Sequence, residues 1–178
     1  GRGVAARILW DLFAEEPRPS NVSSPLIFST GTLSGTNAPM SGRSNITFVS
    51  PATGLYCKSN VGGHFGVSLK LSGIDYILVR GKSTSPVYVF IKNGEVDLLD
   101  AREIWGKEVR ATNELLKQKW GQETNVACIG PAGENQVAFA AVMSSVYNAA
   151  ARGGPGAVMG RKNLKAIAIN DPADRIQV

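Results

Sequence analysis

Val4, Ile8, Leu9 and Leu12 recur at helical spacing and predict an amphipathic helix over residues 3–15, stopped by Pro17 and Pro19. A strand follows over residues 25–30. Residues 31–42 are dense in Gly, Ser, Thr, Asn and Pro and read as a loop, which a second strand leaves over residues 45–49. A turn over residues 50–54 leads to an apolar stretch at 55–58. The glycine-rich segment 59–66 then opens a helix through Leu71, and a strand resumes over residues 75–80. Residues 87–91 and 96–99 flank Asn93-Gly94, the strongest short-range hairpin signal. Thr112 is placed to cap a helix through Trp120, with Leu115 and Leu116 facing inward and Gly121 after its end. Another strand is expected over residues 125–129.

The second half of the chain resembles the first. Ile27-Phe28-Ser29-Thr30-Gly31, a strand ending in glycine, recurs as Val126-Ala127-Cys128-Ile129-Gly130. Gly62-Gly63 with Gly66 precedes a helix and the strand 76–79; Gly153-Gly154 with Gly156 precedes residues 159–164 and the apolar run 166–169. The offset of roughly 95 residues is too long for a solenoid and points to a duplicated half-domain, about 25–92 and 125–170, with two similar glycine-rich edges. The expected shape pairs 26–29 with 76–79 in one sheet and 126–129 with 166–169 in a second. Residues 147–152 carry no buried-strand pattern.

A length of 178 residues with 43% hydrophobic composition suits one domain able to bury a core. No apolar run is long enough to span a bilayer and no signal peptide opens the chain, so a cytoplasmic protein without membrane attachment is expected. The first residue is not Met and residues 174–178 finish no element, as expected of a piece of a longer enzyme, inactive alone. The net charge of +5 suits an anionic partner. Lys and Arg are scattered and aromatics make up only 7%, which argues against nucleic acid. Cys57 and Cys128 stand far apart, without the spacing of a zinc or iron-sulfur site, and read as buried small hydrophobes.

The glycine loops raise nucleotide binding first. Met159 stands where a dinucleotide fingerprint needs its third glycine, and Tyr76 stands at the first glycine of a P-loop ending Gly81-Lys82-Ser83, so both motifs fail. Asn21-Val22-Ser23 and Asn45-Ile46-Thr47 are chance matches to glycosylation acceptors. With His64 the only histidine, no histidine-based triad or metal cluster can form; it reads as a helix-start packing or capping residue. No carboxylate pair has acid-base spacing, and Glu134 alone lies in a glycine-rich loop. What remains is an anion cradle: glycines expose backbone N–H groups, and Arg43 and Arg152 at the loop edges supply charge-assisted hydrogen bonds. Arg43 as a solvated surface charge and Arg152 as a carboxylate partner are the plain alternatives.

Several long motifs carry a family resemblance. Gly31-Thr32-Leu33-Ser34-Gly35-Thr36-Asn37-Ala38-Pro39 with Ser41-Gly42-Arg43, then Ser50-Pro51-Ala52-Thr53-Gly54, then Ser59-Asn60-Val61-Gly62-Gly63-His64-Phe65-Gly66 resemble the amino-terminal domain of the tungsten-containing aldehyde:ferredoxin oxidoreductases. Ile129-Gly130-Pro131-Ala132-Gly133-Glu134-Asn135, the run from Ala151-Arg152-Gly153-Gly154 to Gly160, and Lys162-Asn163-Leu164-Lys165-Ala166-Ile167-Ala168 are similar to that family's later blocks. The likeness runs from Gly1 to Ile169.

The resemblance implies an α+β fold: two related mixed β-sheets with helices, an internally duplicated saddle cradling a tungsten (or molybdenum) bis-pterin whose own sulfurs hold the metal. It implies that Arg43 contacts a pterin phosphate, that Asn60 and Ala149 offer backbone carbonyls to a magnesium ion bridging two phosphates, and that Gly62, Gly63, Ala151 and Arg152 line the cofactor. It assigns no catalytic residue to this stretch. A 4Fe-4S cluster, ferredoxin as electron acceptor, an aldehyde substrate and downstream helical domains belong to the rest of such an enzyme, for which a homo-oligomer and an anaerobic host are in keeping. Asn148 stands where the family commonly has Arg, and Ala151 where it has Gly, which puts pterin affinity or cofactor variant in question. The competing reading is a non-catalytic module that binds a phosphorylated ligand or an acidic protein surface through the same loops.

Overall fold

The computed structural model describes residues 1–16 and 23–170. Pro17, Pro19, Asn21 and residues 174–178 lie outside the described residues, so the helix stop and the terminal segment are not addressed by it. In chain order the elements are α1 (Arg2–Glu15), β1 (Leu26–Ser29), β2 (Ser44–Val49), β3 (Tyr56–Val61), α2 (Phe65–Leu71), β4 (Tyr76–Val79), β5 (Val87–Lys92), β6 (Glu95–Asp100), α3 (Val109–Trp120), β7 (Asn125–Cys128), α4 (Pro131–Glu134), β8 (Val142–Ser144), β9 (Asn148–Ala150), α5 (Pro155–Arg161) and β10 (Leu164–Ile169).

Two sheets result, in the order β3-β2-β1-β4 and β6-β5-β10-β7-β8-β9. The first is antiparallel throughout, and the second is mixed because β10 runs parallel to β5. The expected pairings hold: Leu26 faces Val79 across β1 and β4, and Ala166 faces Cys128 across β10 and β7. Strand β5 and its hairpin partner β6 join the second sheet, although residues 25–92 read as one repeat. Asn93 and Gly94 take φ of 52° and 75°, the left-handed pair that a two-residue hairpin loop needs.

Period-2 alternation sorts side chains into layers. Leu26 and Phe28 of β1, Val89 and Ile91 of β5, Ala127 of β7 and Ile167 and Ile169 of β10 meet in one core between the sheets. Helices α2 and α5 are sandwiched there through Phe65, Leu69, Val158 and Met159. The opposite residues, Tyr88, Phe90, Val126, Ala166 and Ala168, pack with Leu116 of α3, and Phe90 stacks on Trp120 at 3.9 Å. Ile27 faces Ala5 and Leu9 of α1. Cys128 is buried in the α3 layer, where Asn113 Nδ2 donates to its Sγ at 3.4 Å. Burial pushes that thiol up to about 12, so it stays protonated and acts as a small apolar side chain. Cys57 is half-buried.

Three local expectations are corrected. Helix α3 starts at Val109, with Glu108 at its cap, because Thr112 Oγ1 turns back to the Glu108 carbonyl at 2.9 Å inside the first turn. Helix α5 starts at Pro155, whose fixed φ suits a first helical position. Residues 148–150 form a strand despite their alanines, held by pairing to β8 from Val142↔Ala150 to Ser144↔Asn148.

One buried ion pair ties the second sheet to its loops. Lys165 and Glu134 have side chains 0% and 6% exposed and meet at 2.5 Å. Lys165 Nζ also donates to the Lys107 carbonyl, and the Gly106 N–H donates to the Glu134 carboxylate. Removing one partner strands a charge, which costs about 3–5 kcal/mol, whereas replacing both with apolar groups is often neutral. Glu134→Ala is therefore expected to lower the unfolding free energy by about 3–5 kcal/mol in denaturant titrations, with Glu134→Ala/Lys165→Met recovering most of that loss.

Candidate functional site

Strand β3 is an edge of the first sheet and β9 an edge of the second. The two edges lie side by side without pairing, and they form a seam where the sheets meet. This seam gathers the residues expected at the cradle. The β2–β3 register sets Asn45 opposite Asn60 and Ser44 opposite Val61, which places Arg43 at the register position of Gly62. Arg43, Asn60 and Gly63 are exposed and Gly62 is half-buried. On the other side, Ala149 faces Met143 within the β8–β9 hairpin, and Ala149, Ala151 and Arg152 are exposed. The Cys57 thiol of β3 lies 4.0 Å from the Arg152 carbonyl, so the segment after β9 reaches across onto β3. Arg43, Asn60, Gly62 and Gly63 thus come from one strand pair, and Ala149, Ala151 and Arg152 from the facing edge.

The two glycine pairs, alike in sequence, do different work. A methyl carbon on Gly153 would overlap Cys57 Sγ, and one on Gly154 would overlap the Ala138 carbonyl oxygen. Both glycines take a φ near +80°, in the left-handed region. They serve chain crossing. Helix α5 behind them is buried, with the Gly156 N–H donating to the Ala140 carbonyl at 2.9 Å, so it offers no free start to an anion. The two glycine-rich edges are thus similar in sequence and different in packing. At Gly62 an added methyl would meet only Asn148 Oδ1, at an ordinary 3.5 Å. His64 precedes α2 at the cap position without a side-chain cap hydrogen bond and is exposed.

A charge signal missed in the sequence reading accompanies this geometry. Residues 17–74 and 135–170 contain no Asp or Glu, so all 14 carboxylates of the chain fall outside them. Both strands of the seam and both flanking arginines come from these carboxylate-free stretches. Positive charge, exposed edge backbone and the absence of competing carboxylates in the local chain suit a ligand bearing phosphate groups. Among the described residues no group of three or more His, Cys, Asp or Glu could hold a metal ion. No helix among them is long and apolar enough to cross a membrane. A separate cavity of about 530 Å³ opens between α3 and the end of β6, lined by Tyr88, Glu103 and Leu116 among others. It lies at the opposite edge of the second sheet from β9. It gathers none of the residues above.

The family model for the aldehyde ferredoxin oxidoreductase N-terminal domain matches residues 1–171. The chain is 46% identical to a tungsten-containing aldehyde ferredoxin oxidoreductase of Pyrococcus furiosus, across 94% of this chain and 28% of that protein. It is 37% identical to an aliphatic sulfonate oxidoreductase, WOR-like subunit, of the same organism, across 94% of this chain and 29% of that one. Among solved structures, the active site complex BamBC of benzoyl coenzyme A reductase with 1,5-dienoyl-CoA superposes with a TM-score of 0.92 at 41% identity, covering 98% of this chain and 27% of that chain. The chain thus spans less than a third of the length of these relatives.

The glycine geometry predicts a split in tolerance. Gly154→Ala should lower unfolding free energy by about 3 kcal/mol or more, because steric overlap adds to a strained φ. Gly62→Ala should stay within about 1 kcal/mol of the parent in the same denaturant titration.

Proposed function

The chain belongs to the aldehyde ferredoxin oxidoreductase N-terminal domain family, and from that premise we propose that its β3–β9 seam holds the phosphates of a tungsten bis-pterin within a longer oxidoreductase. The observation that carries this reading is the placement of Arg43 and Arg152 beside the two ends of β3, the strand that lines the seam with β9, all of it drawn from carboxylate-free sequence. In this reading Arg43 binds a pterin phosphate through its planar guanidinium, which takes oxyanions in bidentate fashion where lysine offers a point charge. Asn60 and Ala149, one on each edge, would offer backbone carbonyls to a magnesium ion that neutralises the cofactor phosphates. Gly62, Gly63 and Ala151 let main chain come close to the pterins, and Arg152 adds a second guanidinium. When bound, the cofactor would supply the two-electron redox centre, while this chain would orient it and offer no ligand to the tungsten itself.

The intact protein is proposed to oxidise an aldehyde with water to a carboxylic acid, releasing two electrons and two protons. The electrons leave through a 4Fe-4S cluster held by downstream domains to ferredoxin, in a soluble, cytoplasmic enzyme. Substrate choice lies in those domains: relatives named for aldehydes, aliphatic sulfonates and benzoyl coenzyme A share this stretch at comparable identity. Molybdenum in place of tungsten, or an aromatic-ring reductase, is compatible with the same seam.

Arg43→Ala in the intact protein is expected to reduce pterin and metal content per polypeptide by about tenfold, the loss of one charge-assisted bond of about 1.5 kcal/mol. Arg43→Lys should fall between, with far-UV circular dichroism unchanged in both. Full pterin and metal content in Arg43→Ala would show that the phosphate is held elsewhere.

A further inference from the structure

The inward row of the β8–β9 hairpin changes character along its length. Val142 and Ala150, a cross-strand pair, face the apolar core between the sheets. One step along the same face, the pair becomes Ser144 and Asn148. This polar pair lies where the Gly62-Gly63 turn leaves β3. A methyl carbon on Gly63 would sit 3.0 Å from Asn148 Nδ2 and 3.3 Å from Ser144 Oγ, while one on Gly62 would sit 3.5 Å from Asn148 Oδ1. The absence of side chains at both glycines brings their backbone against the carboxamide.

Ser144 is 1% exposed, and its hydroxyl has no hydrogen-bond partner among the described residues. Asn148 is half-buried, and among the described residues its Nδ2 reaches Ser145 Oγ at the long distance of 3.5 Å. A buried hydroxyl left unmatched is costly, so Ser144 beside the Asn148 carboxamide, one step from the apolar Val142–Ala150 pair, points to a hydrogen-bonding role beyond space filling. A carboxamide has both donor and acceptor, and can serve the Gly62-Gly63 backbone and the Ser144 hydroxyl at once after a small rotation.

We infer that Asn148 and Ser144 form a polar clasp that fixes the Gly62-Gly63 turn of β3 against the β8–β9 hairpin, and so sets the spacing of the two edges across the seam. Asn148 is a positioning residue here, acting through the glycine backbone. Its bearing on cofactor retention rests on the reading of the seam as a pterin cradle, whereas the clasp itself does not.

The test compares Asn148→Leu, Asn148→Ala and Ser144→Ala in the intact protein, following amide hydrogen exchange over residues 60–66 and pterin content after gel filtration. Leucine keeps the branched shape and heavy-atom count of asparagine, fills at least its space and removes its hydrogen bonds, so a space-filling role predicts unchanged exchange for Leu and faster exchange for Ala. The clasp predicts exchange about tenfold faster for both, as one or two lost hydrogen bonds allow, with β1 and β10 amides unchanged. Ser144→Ala separates the readings by sign: exchange over residues 60–66 speeds up if the hydroxyl belongs to the clasp, and slows or stays level if it is an unmatched group whose removal stabilises. Wild-type exchange in Asn148→Leu, or slowed or level exchange in Ser144→Ala, would overturn the proposal. Faster exchange with pterin content equal in all variants would leave the clasp standing and count against the pterin reading of the seam.

Discussion

At the four glycines of residues 153–160 the chain crosses the rest of the molecule with no room for a side chain. Gly153 lies on Cys57 and Phe48, Gly154 on the Ala138 carbonyl and Pro51, Gly156 on the carbonyls of Ala140 and Ala141, and Gly160 on the carbonyl of Gly133. This backbone-on-backbone packing lets α5 sink between the two sheets and brings α4 against it. As α5 is drawn in, the strand before it, β9, comes to rest beside β3. The seam therefore depends on close packing behind it, in a region where interiors tolerate little added volume.

Electrostatics then gives the seam its character. Carboxylates are absent from the chain stretches that build it, while the acidic residue closest to a glycine-rich loop, Glu134, is committed to Lys165 in the interior. Arg43 and Arg152 remain exposed at the two sides. Exposed strand-edge backbone and two arginines drawn from carboxylate-free sequence favour an anionic ligand along this edge.

Much of the fold was legible because its strands bury alternate residues on two different sides. The apolar runs of β1, β5, β7 and β10 and the Asn93-Gly94 hairpin appear in the structure as strands. Strand β9 was illegible: Asn148-Ala149-Ala150 has neither β-branched nor aromatic residues, and its conformation comes from pairing with β8 rather than from propensity. The start of α3 was misplaced because a threonine can back-bond within a helix as well as cap one. At the site, Arg43, Asn60 and Gly62 share a loop and a strand pair, so their proximity could be read locally. Their approach to Ala149 and Arg152 is a tertiary fact that only long shared motifs anticipated. The different uses of Gly62-Gly63 and Gly153-Gly154 could not be read at all, since steric need and open backbone leave the same mark in a sequence.

The most direct measurement is anomalous diffraction from crystals of the intact protein at the tungsten and molybdenum absorption edges. A single heavy-metal peak above the β3–β9 seam, with density for phosphate groups reaching Arg43 and the Asn60 and Ala149 backbone, is the expected result. A peak bound by protein side chains away from the seam, or a seam covered by neighbouring polypeptide with no cofactor density, would contradict it.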